Sequence, residues 1–156
     1  MMTLRAKYGS KKIDGILGMA KKSAVLVGVL RGTGGHPHSK AGHTIALIAA
    51  WNEFGNRRIP SRPFLRTTLR EHEYYKQELK KALLTAITTK GEADSLLKLV
   101  GIKAASDIRN KITNNDFRRN APATIQRKST SSGVKDKPLI DSGALRQSIQ
   151  SQLEKF

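Results

Sequence analysis

Residues 51–66 read WNEFGNRRIPSRPFLR, and this stretch organises the chain on either side of it. Gly55 ends a helix in the left-handed conformation, where glycine meets no steric penalty. Pro60 and Pro63 hold the backbone extended, and Pro63 suits the first turn of a new helix running from Phe64. Arg57, Arg58, Arg62 and Arg66 therefore ride on a stiff connector between two helices. Arg62 and Arg66 flank Pro63, Phe64 and Leu65, so burial of the apolar pair directs where the guanidinium groups point. Arg62 is expected at the surface. A connector this rigid and this cationic suits an assembly contact or a phosphate contact better than a reaction centre.

Upstream, residues 44–54 place Ile45, Ile48, Ala49 and the level of Trp51 and Asn52 on one helical stripe, with Thr44 as its cap. Residues 24–30, AVLVGVL, are short, β-branched and bounded by the glycine-rich turn at 32–35, which marks a strand. Its near-continuous apolarity marks a covered one. Residues 1–23 form a basic N-terminal segment in which Ile13, Ile16, Leu17 and Ala20 make a weak pattern broken by Gly15 and Gly18. A short helix is the most expected there.

Downstream, the helix from Pro63 carries Leu65, Leu69, Leu79, Leu83 and Ile87 near one face, and at 1.5 Å per residue it would be about 35 Å long. Thr89-Lys90-Gly91-Glu92 has capping-box spacing, so a second helix follows with Ala93, Leu97, Val100, Ala104, Ile108 and Ile112 on its apolar stripe. The short connection implies an antiparallel pair. Between residues 114 and 138 periodicity is lost while Arg118, Arg119, Arg127, Lys128, Lys135 and Lys137 accumulate. This basic loop, 114–137, is expected to be mobile until a partner orders it. Asp141 is expected to cap a short helix through Ile149, while whether the tail SQLEKF adds a strand is left open by the sequence. The expected fold class is α+β: a small, mostly antiparallel sheet packed against two long helices and shorter ones, with residues 24–156 forming a single domain that includes the mobile loop.

The chain has 156 residues, enough for one modest core, and with 38% apolar but only 5% aromatic residues that core is mostly aliphatic. Its formal charge of +17 makes an anionic partner the first expectation, nucleic acid before a membrane surface. No apolar run approaches the ~20 residues that span a bilayer. The start, MMTLRAKYGSKK, lacks an apolar segment followed by a cleavage site, so no secretory signal is expected. The absence of cysteine excludes disulfides and thiolate metal sites and fits a reducing cytoplasm.

Reaction chemistry finds little support in the residues. A phosphate-cradling nucleotide loop needs Gly, four residues, then Gly-Lys-Ser/Thr, but Gly35 lies too far from Gly42 and His43 stands where the lysine belongs. His36, His38 and His43 are close in sequence but have no neighbouring carboxylate to complete or orient a metal set. Glu53, Asp14 and Asp141 are scattered single carboxylates, so no convergent acidic pair is expected. No enzyme activity and no cofactor are expected. Without recognisable groove-reading or base-stacking elements, the basic residues would contact nucleic acid through its backbone, independently of sequence.

The order VGVL, a Gly-rich loop, an Ala-rich helix ending in NEFG, IPSRPFLR, two helices, ATIQRKS and KPLIDSGALRQSI resembles the neck and tail-completion proteins of tailed bacteriophages, also called tail-component, virion morphogenesis or minor tail protein Z-like proteins. The resemblance covers about residues 19–150. Two motifs carry it: Asn52, Glu53, Phe54 and Gly55 with Pro60, Pro63 and Phe64, and then Pro138, Leu139, Asp141, Gly143 and Leu145. Ser142 stands where the family motif usually has Thr, which keeps a capping hydroxyl.

The resemblance implies a structural virion component at the head–tail joint, made in the host cytoplasm. It would form a homo-oligomeric ring around the DNA channel, between portal-side head-closure proteins and tail terminator or tail tube proteins. Packaged double-stranded DNA would occupy the lumen, with no membrane involved. Arg57, Arg58, Arg62, Arg66, Arg118, Arg119, Arg127 and Lys128 are then the expected DNA-facing or interface residues, acting by counterion release. Residues 138–140 and the 114–137 loop are expected to reach a neighbouring subunit. The alternative is a small monomeric nucleic-acid-binding protein using the same basic surface.

Overall fold

The computed structural model describes residues 23–34, 42–71, 73–88, 92–114, 117–128 and 136–156. It is α+β. Strand β1 (Ser23–Val29) pairs antiparallel with β2 (Ile149–Lys155), from Ser23 opposite Lys155 to Val29 opposite Ile149. The tail, left open by the sequence, thus forms a strand. Among the described residues the helices are α1 (Arg31–Gly34), α2 (Ile45–Phe54), α3 (Phe64–Glu71), α4 (Glu73–Thr88), α5 (Glu92–Asn114), α6 (Pro122–Arg127) and α7 (Ala144–Ser148). The expected N-terminal helix, His36, His38 and the Thr89–Gly91 part of the capping box lie outside the described residues.

The sheet lies on α5. Val25 and Val27 share one face of β1 by strand alternation, with Leu153 and Ser151 opposite them. A Cβ built on Gly101 would meet Val25 Cγ1 at 2.7 Å and Ser151 Cβ at 3.0 Å, so the sheet's side chains pack directly on the helix backbone here because this position has no side chain. Further along α5, Ala105, Ile108 and Ile112 enter a core shared with Ile45 and Ala49 of α2, Phe64 of α3, and Leu145 and Ile149. Val100 and Ala104 pack with Tyr75 of α4 in a second cluster, and Val27 packs against both. Of the stripe expected on α5, Val100, Ala104, Ile108 and Ile112 are buried.

The arm formed by α3 and α4 runs antiparallel to α5. Tyr75 Oη of α4 donates to Asp107 Oδ2 at 2.6 Å, while Lys111 pairs with Glu71 of α3 at 3.3 Å, so one index rises as the other falls. Burial, reinforced by the Asp107 hydrogen bond, raises the Tyr75 pKa. Of the leucine face expected on this arm, Leu65 packs against the main core. The rest is corrected by the structure, which buries Phe64, Thr68, Tyr75 and Ala82 but leaves Leu69, Leu79 and Leu83 exposed.

The long loop also departs from expectation. Phe117 packs against the main core, α6 begins with Pro122 at its first turn, and residues 118–120 are tied to the connector, so this half is built into the fold. Asp141 does not cap α7. Gly143 occupies that position at φ 81° without a side-chain cap bond, and Ser142 Oγ accepts from the Ala144 N–H at 3.3 Å.

Candidate functional site

The site grows from the end of α2. Thr44 Oγ1 caps the start of this helix by accepting from the Leu47 N–H at 3.3 Å, as expected. At its end the Gly55 N–H returns to the Trp51 carbonyl at 2.9 Å. Gly55 sits at φ 76°, and a Cβ there would lie 2.8 Å from Ser61 N, so both conformation and space require glycine. Asn56 then builds a turn: its Oδ1 accepts from the N–H groups of Arg58 and Ile59, each at 2.8 Å, and its own N–H donates to the Ile59 carbonyl at 2.8 Å. Arg57 and Arg58 are exposed on this turn.

The return of the connector is fastened by two charged residues that face inward. Glu53, 3% exposed, accepts from the N–H groups of Leu65 at 2.9 Å and Arg66 at 3.0 Å. Its carboxylate thereby satisfies two of the unpaired donors at the start of α3 and opposes the positive end of that helix. Far from being a stray carboxylate, Glu53 joins the two helices across the turn. The Ser61 hydroxyl adds a bond to the Glu53 carbonyl at 2.9 Å.

Arg62 corrects the sequence expectation most sharply. It is 5% exposed rather than at the surface. Its N–H donates to the Asn52 carbonyl at 2.6 Å, and its side chain donates to the Arg118 carbonyl (Nε, 2.9 Å), the Asn52 Oδ1 (Nη1, 3.3 Å), and the Arg119 carbonyl and Asn120 Oδ1 (Nη2, 3.3 Å each). A planar fork with several donors can serve this many acceptors at once. Burial lowers the Arg62 pKa, and the Arg118 charge pushes in the same direction.

The consequence is a basic cleft. Because Arg62 grips the backbone of residues 118–119, the exposed side chains there join those of the 56–59 turn. Arg57, Arg58, Arg118 and Arg119 line one cleft of about 610 Å³, with Asn56, Ile59, Pro60, Asn120 and Ala121. Arg119 pairs with Asp136 at 2.6 Å. Four of the eight expected basic residues are thus brought together.

The other four part company. Besides the buried Arg62, Arg66 lies 3.8 Å from Glu53 and 5.6 Å from the Phe54 ring centre. Lys128 turns its ammonium inward to the Lys137 and Ile140 carbonyls, a correction to its DNA-facing role. Burial lowers its pKa, against which Asp141 acts to raise it. The Arg127 side chain lies outside the described residues.

A second cleft, of about 770 Å³, lies where the two sequence motifs meet: Asn52, Pro60 and Arg62 on one side, Leu139, Asp141, Gly143 and Leu145 on the other. Pro138 is buried, and Leu139 adopts a positive φ of 62°. His43 makes an edge contact with Trp51 at 5.0 Å. Among the described residues no group of three or more His, Cys, Asp or Glu is placed to hold a metal, and no helix is long and apolar enough to cross a membrane.

Asn56, Asn120 and Asp136 were not singled out from sequence. An Asn preceding Arg-Arg at a helix end is a readable turn signal, whereas the other two matter only through distant contacts. No family model, curated protein sequence or solved structure matches the chain.

Proposed function

We propose that this chain is a structural subunit of the head–tail joint of a tailed bacteriophage, assembling as a ring around the DNA channel and holding DNA through its phosphates. The observation that carries the reading is the convergence of Arg57, Arg58, Arg118 and Arg119 in one cleft held by buried Arg62. Such an array neutralises phosphates without reading bases, as a passage for DNA of any sequence requires. The order of the two motifs and the charge of +17 support the same reading.

Assembly has exposed apolar side chains available to it. Leu47 and Phe54 on α2 are 40% and 69% exposed, and Leu99 and Ile102 on α5 are each 60% exposed. A ring interface is heterologous and needs two different surfaces, and exposed apolar side chains on separate helices offer them. Portal-side closure proteins and the tail terminator or tail tube are the proposed neighbours.

A monomeric, sequence-independent nucleic-acid-binding protein is the second reading, favoured by the fact that the cleft is complete within one chain. Sedimentation with negative-stain imaging separates the two. The ring reading expects a closed oligomer of one stoichiometry with a central opening; a monomer throughout the soluble concentration range would overturn it in favour of the second.

A further inference from the structure

One arginine of the basic cleft is already paired with an anion. Asp136 Oδ2 lies 2.6 Å from Arg119 Nη2, while Asp136 Oδ1 is buried with no hydrogen-bond partner among the described residues. A carboxylate engaged through only one oxygen is incompletely satisfied. Asn120, which lines the cleft, has its Oδ1 taken by Arg62, and its Nδ2 is buried with no hydrogen-bond partner among the described residues. Four guanidinium groups on one cleft suit an oxyanion with several acceptor oxygens better than one carboxylate oxygen.

We propose that the Arg57, Arg58, Arg118 and Arg119 cleft is a phosphodiester-binding site, and that Asp136 is its internal counter-ion, displaced from Arg119 when a DNA phosphate enters. The inference rests on the DNA-contact part of the proposed function but not on ring formation. The Arg119 side chain is 86% exposed and that of Asp136 37%, so the pair is solvated and weak enough to exchange. A phosphate offers Arg119 a bidentate partner and carries further acceptor oxygens for the neighbouring guanidinium groups. Asp136 thereby lowers affinity for isolated phosphates and favours a polyanion that engages all four arginines at once.

The test is fluorescence anisotropy of the full chain on a short duplex, with wild type, Asp136→Asn, Arg119→Gln, the double variant and Glu73→Gln, which changes net charge equally at an exposed site away from the cleft. Asp136→Asn is expected to tighten binding about two- to five-fold, the range an exposed ion pair commands. Glu73→Gln should do less, and the gain should vanish in the Arg119→Gln background. A gain that Glu73→Gln matches, or that persists without Arg119, overturns the counter-ion role. Sodium phosphate at matched ionic strength should compete no better than chloride; selective competition overturns the assignment to a polynucleotide. Because affinity and mass are read separately, failure here leaves the ring reading to its own test.

Discussion

Arg62 Nε donates to the Arg118 carbonyl at 2.9 Å across 56 residues of chain. This contact converts a turn at the end of α2 and a segment after α5 into one surface, because it holds the two backbones while leaving their arginine side chains in solvent. Arg62 therefore serves the candidate site as a positioning residue.

Arg62→Ala should destabilise the chain by about 2–4 kcal/mol, since the carbonyls it serves lose their partner in a partly buried place. Arg62→Lys should recover little, because an ammonium lacks the planar fork. Arg57→Ala, at an exposed position, should stay within about 0.5 kcal/mol. Urea denaturation checks all three, and equal stability of the Arg62 and Arg57 variants would contradict the buried assignment.

Glu53 should behave as a remote helix cap. Glu53→Ala leaves two N–H groups of α3 without their acceptor and should cost about 2–3 kcal/mol, while Glu53→Gln, which keeps one oxygen and loses the charge, should cost about half as much. Hydrogen exchange at Leu65 and Arg66 provides the check: both amides should lose protection in Glu53→Ala, and unchanged protection would place their acceptor elsewhere.

Gly101→Ala sets two effects against each other. Helix propensity favours alanine by about 1 kcal/mol, whereas overpacking costs about 1–3 kcal/mol. The contacts at 2.7 Å to Val25 and 3.0 Å to Ser151 lie at stiff, backbone-proximal atoms of the sheet, so overpacking should win. Thermal melting should show a lower Tm; a higher one would mean that the sheet shifts freely on α5.

Tyr75 supplies a pH dependence with a definite sign. Its folded pKa is raised above the unfolded value near 10, so its contribution is fully present below that pH and is lost as pH rises above it, where the unfolded chain ionises first. Lys128, with a lowered folded pKa, acts oppositely in the alkaline range, since its native form loses the proton first. Tyr75→Phe should cost about 1–2 kcal/mol at pH 7 through the lost Asp107 bond. It should also flatten the alkaline decline; equal slopes for both proteins above pH 10 would refute the coupling.

What was legible in the sequence is what local pattern encodes. Residues 24–30 were readable as a strand from β-branching and bounding glycines, Thr44 as a cap from its place before an apolar stripe, and the buried face of α5 from its spacing. The Pro63–Phe64 start of α3 was readable for the same reason. Arg62 was not, because the general preference of charged side chains for solvent predicts exposure, and its partners at 118–120 leave no local trace beside it. Glu53 likewise caps a helix twelve residues away. Leucines on the 64–88 arm misled because Phe64, Thr68, Tyr75 and Ala82 fit the neighbouring helix better, and helix periodicity alone does not choose between two faces that each carry apolar residues.

The most direct test of the account is duplex binding across a salt series, run on one natural and one scrambled sequence. If the joined arginines act through phosphates, log affinity should fall linearly with log salt at a slope of about −3 to −4, as neutralising about four phosphates requires, with both duplexes bound alike. A slope near zero, or discrimination of ~1,000-fold or more between the two sequences, would contradict the claim that this chain holds DNA by its backbone.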